Sequence, residues 1–193
     1  MTPRVTVRAA AIVVAVTVAV ICLTGAAWIH IKAHVAQALI ANAWHRTLKG
    51  QNNAQPWPWA DTKPIGRLVL LDSDRHDMVI LEGSSGRNLA FGPTHDPASV
   101  LPGERGNSII AGHRDTHFEF LRDLKIGDRL AVERTDGVKW FVVTATNVVD
   151  SRQMRIALGS DTPRLTLVTC YPFDAVIPGG PMRYVVTADL ADP

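Results

Sequence analysis

The sequence predicts a mostly-β domain, a barrel or a sandwich, preceded by an N-terminal transmembrane helix. Three observations point there. Short apolar runs with strand-like alternation recur between glycine, proline and aspartate turn signals from residue 66 to residue 189. Asp136-Gly137 stands between two of these runs as a hairpin signal. Residues 9–29, in contrast, form one apolar stretch with no charge over 21 positions.

The charge-free stretch comes first in the chain. As a helix it would span about 31 Å, the hydrocarbon thickness of a bilayer. Arg4 and Arg8 precede it, and Trp28 stands at its far edge as an interfacial anchor. A cleaved signal peptide competes with this reading, since "TGAA" (24–27) offers small residues for cleavage, but the stretch exceeds the usual length of such apolar cores. Lys32, Arg46 and Lys49 follow closely, so charge does not set the orientation. Residues 1–31 are therefore expected to be a membrane anchor. Residues 32–49 carry Val35, Leu39, Ala43 and Leu48 near helical spacing and should continue as an amphipathic helix ended by Gly50. "QNNAQPWPWADTKP" (51–64), with three prolines and two tryptophans, reads as a linker that packs its tryptophans onto the following domain. The extension and linker occupy 32–55, and the domain proper 56–193.

Within that domain the expected strands are 66–71, 77–82, 107–112, 128–134, 138–149, 164–169 and 183–189. "THFEFLRDL" (116–124) is the one helical turn that the pattern supports. The formal net charge is only +2, aromatics make up 6%, and no basic run reaches five residues, so nucleic acid is not an expected partner. Phosphate-binding loops and dinucleotide fingerprints are absent from the sequence.

There are two cysteines, and Cys22 lies inside the apolar stretch. A disulfide with Cys170 is not expected, which leaves Cys170 a lone thiol. It ends the strand-like "RLTLVTC" (164–170). His113 emerges from another strand through Gly112, and Arg183 opens the last strand. A thiol with a reference pKa of about 8.5 is only a few per cent thiolate at neutral pH. A nearby imidazolium or guanidinium raises that fraction and also stabilises an oxyanion. Each of the three residues also fits an ordinary role: a small buried thiol, a turn histidine and a solvated edge charge. His95, His113 and His117 with Cys170 suggest a zinc set, but "HRDTH" (113–117) lacks the glutamate of helical metalloproteases.

Taken together, the motifs resemble a known family. Thr166-Leu167-Val168-Thr169-Cys170, the arginine 13 positions on, and "GNSIIAGHRD" (106–115) upstream resemble the sortases, membrane-anchored cysteine transpeptidases of peptidase class C60. The likeness runs across most of residues 56–189, and "PWPWADTKPIGRL" and "CYPFDAVIPGGPMRYVVTA" look most like sortases of Gram-negative bacteria. The resemblance implies an eight-stranded sortase-type β-barrel with a groove at one face. It implies Cys170 as nucleophile, His113 as general acid and base, and Arg183 holding the substrate carbonyl or oxyanion. Thr169, Tyr171 and Pro172 would contribute to substrate binding, with the loop 171–182 forming one groove wall. His95 is a further candidate lining residue. The implied substrate is a protein with a C-terminal Leu-Pro-X-Thr-Gly-like sorting signal, and the second substrate an amine acceptor. No metal, calcium or organic cofactor is expected. The implied location is the inner membrane, single-pass, with the domain in the periplasm.

Overall fold

The computed structural model describes residues 3–71, 77–177 and 179–192, with side chains at 12–25, at 28 and from residue 31 on. Its contacts divide into two units, Met1–Ala38 and Leu39–Pro193. Helix α1 runs from Pro3 to Leu48 and closes at Gly50, whose φ of 86° lies in the left-handed region that ends helices. Among the described residues no helix is long and apolar enough to cross a membrane. The expected membrane anchor over 1–31 gains no support from these residues. The flanking Arg4 and Arg8, and the side chains of 9–11, 26, 27 and 29 in the apolar stretch, lie outside the described residues.

The second unit begins with the last turns of α1. Ile40, Ala43 and Trp44 are buried there, whereas Leu39 and Leu48 are exposed. Of the suggested face Ala43 is buried as expected, while Ile40 and Trp44 take the inward places in the stead of Leu39 and Leu48. Trp44 also donates from Nε1 to Glu133 at 3.3 Å. In the linker Trp57 packs edge-on against Phe91 with centroids 5.0 Å apart, but Trp59 is 82% exposed. Only one of the two tryptophans packs as expected.

Eight strands form the barrel: β1 (Pro64–Leu70), β2 (Met78–Glu82), β3 (Thr94–His95), β4 (Asn107–Ala111), β5 (Arg129–Arg134), β6 (Gly137–Asp150), β7 (Arg164–Cys170) and β8 (Met182–Ala191). They close in the order β1-β2-β3-β4-β7-β8-β6-β5. The β5–β6 hairpin pairs Arg134 with Gly137, so its loop is Thr135-Asp136 and Gly137 opens the strand at φ 118°. A helix α2 (Gly86–Leu89) and a 3-10 turn (Glu119–Arg122) complete the domain. The 3-10 turn stands where a helix was expected over 116–124. Leu68, Ile80, Ile110, Phe118, Phe141, Leu165, Leu167 and Val186 fill the core.

Candidate active site

Strand parity explains how one strand serves both the core and a site. On β7, Leu165 and Leu167 are fully buried and Thr169 continues that inward row. Val168 and Cys170 have the opposite parity and face outward, with the thiol only partly covered. Antiparallel pairing sets Cys170 directly opposite Arg183 on β8. Residues so paired project to the same face with Cβ atoms about 5 Å apart.

The parallel β4–β7 ladder brings the third residue. It pairs Ala111 with Val168 and continues as a bond from the Gly112 N–H to the Val168 carbonyl at 3.1 Å. The Thr169 hydroxyl, buried, donates to the Gly112 carbonyl at 2.7 Å. His113 therefore leaves β4 alongside the last residues of β7. Its carbonyl accepts from the Phe118 N–H at 2.9 Å, closing a turn over the buried Phe118 ring. A Cβ at Gly112 would lie 2.6 Å from that ring, so only glycine lets the chain turn here. The three candidates Cys170, His113 and Arg183 are thus gathered at one end of β4, β7 and β8.

Arg183 donates from Nη1 to the carbonyls of Gly180 at 2.6 Å and Met182 at 2.9 Å. Those bonds fix one end of the guanidinium and leave Nε and Nη2 for another acceptor. A groove of about 570 Å³ starts beside it, lined by Ile109, Ala111, Val168 and Val185 from the sheet. Its other side is the segment after β6, with Ser151, Met154, Arg155, Ile156 and Leu158. Residues 151–158 bound this groove, and neither the described residues of 171–182 nor Cys170 and His113 are in its lining. Pro178 of the expected wall lies outside the described residues.

The other expected binding residues are engaged within the fold. Thr169 spends its hydroxyl on Gly112. Tyr171 stacks on Tyr184 at 6.3 Å, and the Pro172 ring is exposed while its carbonyl accepts from Arg114 at 2.5 Å. His95 is buried, with Nε2 2.9 Å from the Val100 carbonyl and 3.1 Å from the Ser99 hydroxyl. Its neighbours Thr94 and Asp96 line the groove, but His95 does not. Among the described residues no three metal-ligating side chains cluster.

Arg114 is the residue that the sequence reading passed over. It is buried, bonds both carboxylate oxygens of Asp115, and reaches the carbonyls of Pro172 and Ala175. The Asp115 hydrogen bond strengthens its hold on the proton, and the guanidinium in turn holds the Asp115 carboxyl below its ordinary range. Burial, and after it the charge of His113, pushes the His117 imidazole down.

This geometry coincides with a known domain. The family model described as the sortase domain matches residues 71–191. The chain belongs to the sortase family. Sortase D of Bacillus subtilis is 32% identical over 111 residues, 57% of this sortase and 56% of that protein. Sortase A of Listeria monocytogenes is 26% identical over 110 residues, 55% and 49% of the two chains. The chain spans about half the length of the curated relatives it matches. Both relatives come from Gram-positive bacteria, so the narrower likeness to Gram-negative sortases gains no support from them. Among solved structures, Sortase A from Corynebacterium diphtheriae superposes with a TM-score of 0.62 at 22% identity, covering 82% of this chain and 85% of that one. Streptococcus agalactiae Sortase C1 gives 0.61 at 24%, covering 67% and 68%. At these identities the likeness establishes the fold: the eight-stranded closed barrel is the sortase barrel.

Proposed function

We propose that this sortase is a cysteine transpeptidase that cleaves a Leu-Pro-X-Thr-Gly-like sorting signal after threonine and transfers the cargo protein to a primary amine. The observation that carries the reading is the convergence of Cys170, opposite Arg183 in register, with the His113 turn laid along the same strand end. The thiolate of Cys170 attacks the threonine carbonyl carbon, and the oxygen takes the negative charge. The free Nε and Nη2 hydrogens of Arg183 donate to that oxygen. The C–N bond then breaks as His113 gives a proton to the departing glycine amine, leaving a thioester. An incoming amine passes a proton to His113 and attacks the thioester, and Cys170 leaves as thiolate. The apolar sheet side of the groove, Ile109, Ala111, Val168 and Val185, suits the leucine and proline of the signal. None of these steps calls for a metal or an organic cofactor.

The same reading places the domain in the periplasm of a Gram-negative cell, held at the inner membrane by the charge-free stretch 9–29. Protease protection of the domain in spheroplasts, where an external protease should reach it, contradicts that location. For the chemistry, Cys170→Ala is the test. A folded variant that releases no glycine-terminated fragment from a Leu-Pro-X-Thr-Gly peptide is the expected outcome. Retained cleavage removes Cys170 from the mechanism, and hydrolysis that persists unchanged on adding amine replaces transpeptidation with proteolysis.

A further inference from the structure

We propose that Arg114 is a positioning residue, which ties the turn carrying His113 to the loop that follows Cys170 and so aims His113 at the leaving group. The inference rests on the transpeptidase reading above. The base of the His113 turn is fixed by the Gly112–Val168 bond, the Thr169–Gly112 bond and the Phe118 ring beneath it. Those contacts leave the crest, residues 113–117, exposed apart from Arg114 and the half-covered His117.

Arg114 reaches from that crest to the loop that follows Cys170. Nε and Nη2 grip the two Asp115 oxygens at 2.7 and 3.1 Å. Nη1 donates to Pro172 at 2.5 Å and Nη2 to Ala175 at 3.0 Å. These acceptors lie 58 and 61 residues away in sequence, on the two sides of a single turn of the loop after β7. Only 9% of the side chain is exposed, against 69% for Asp115. A buried cation must be matched by acceptors in fixed positions, so the guanidinium is held wherever its acceptors are. The tie therefore ranks above the ion pair: the carboxylate compensates the charge, and the two carbonyls set the distance between the segments. Arg122 lies over the Phe173 ring at 5.2 Å and braces the same loop from the 3-10 turn. Lysine at 114 would keep the charge, but one ammonium cannot reach the carboxylate and both carbonyls in a planar fork.

The distinguishing experiment uses two substrates of the full-length chain, a Leu-Pro-X-Thr-Gly peptide amide and the p-nitrophenyl ester of the same Leu-Pro-X-Thr segment. A phenolate leaves without a proton, so aiming His113 matters for the amide and little for the ester. For Arg114→Lys the expected loss in kcat/KM is about 100-fold on the amide, as a displacement near 1 Å can cause, and under about threefold on the ester. Equal losses on both substrates, or no loss, overturn the proposal, since a purely structural residue does not discriminate between leaving groups. If Arg114→Lys does not fold, Asp115→Asn carries the test. It should show the same selective loss at about a tenth the size, and an equal loss on both substrates overturns the proposal. If the unaltered chain cleaves neither substrate, the transpeptidase reading fails. The tie is then judged by amide hydrogen exchange in Arg114→Gln. Faster exchange in both 112–118 and 171–177 supports it, and faster exchange in 112–118 alone overturns it.

Discussion

Residues 112–118 and 171–181 leave the same end of the β4–β7–β8 edge, one carrying His113 and the other leading to Arg183. The first is held by packing. Phe118 fills the space under the turn, and backbone bonds to Val168, Thr169 and Phe118 fix its start. The second is held at its two ends. At the start Tyr171, Phe173 and Tyr184 form an aromatic cluster under Arg122, and Arg114 binds two carbonyls. At the finish the Pro181 carbonyl accepts from the Ser151 N–H and hydroxyl. Between those ends Val176 is 96% exposed and Ile177 83%. His113 thus follows a packed turn, whereas Arg183, paired with Cys170 and Val149 in the sheet, follows a loop whose middle is exposed. For the proposed transpeptidase, the packed segment suits positioning a proton and the exposed one suits admitting a peptide.

Four changes probe that contrast. The largest effect is expected from Arg183→Lys, with kcat on a sorting-signal peptide falling about 100-fold. An ammonium cannot keep the Gly180 and Met182 bonds and also present two donors to the substrate. A loss below about threefold would show that Arg183 does not contact the oxyanion. Next comes Gly112→Ala, which forces Phe118 or the turn to move. It should destabilise the domain by about 1–3 kcal/mol in urea unfolding and lower kcat with it. An unaffected variant would mean that the turn is looser than its packing indicates. The paired change Val176→Ser with Ile177→Ser belongs to the loosely held region. It should leave stability within about 0.5 kcal/mol of the original, and a larger change would reveal a buried role for these side chains.

The smallest effect belongs to Asp150, at the end of β6 beside the groove wall. The Arg152 side chain bonds both carboxylate oxygens and holds the carboxyl down to about 2. Because the folded value lies below the unfolded value of 3.8, its contribution to stability is present above that value and is lost as pH falls toward about 2. Asp150→Asn should therefore melt slightly below the original at pH 6 and equal to it near pH 2. A difference that persists unchanged at acid pH rules out the carboxylate as its source. The pair is exposed on its arginine side, so the effect at pH 6 stays small.

What could be read from the sequence follows from what leaves a local pattern. Alternation over five or more residues marked seven strands, and the cysteine, histidine and arginine stood at three of their ends. β3 is only Thr94-His95, too short to show any period, and its parallel pairing with β2 is a tertiary fact. The segment 151–158 beside the groove has no regular structure, so no period in the sequence announces it. Arg114 was in view within "GHRD", but an arginine beside a histidine carries no mark of the carbonyls that it reaches some 60 residues away. For His95 the sequence pattern held no sign of the contacts of its ring with Ser99 and Val100.

The central claim is that Cys170 forms a thioester with the threonine of a sorting signal. Intact-mass spectrometry of the full chain, quenched in acid during turnover of a Leu-Pro-X-Thr-Gly peptide without added amine, addresses it directly. The account predicts an added mass equal to the peptide through threonine less water, mapped to Cys170 and discharged by a primary amine. Cleavage of the peptide with no adduct on Cys170, or an adduct on another residue, would contradict it.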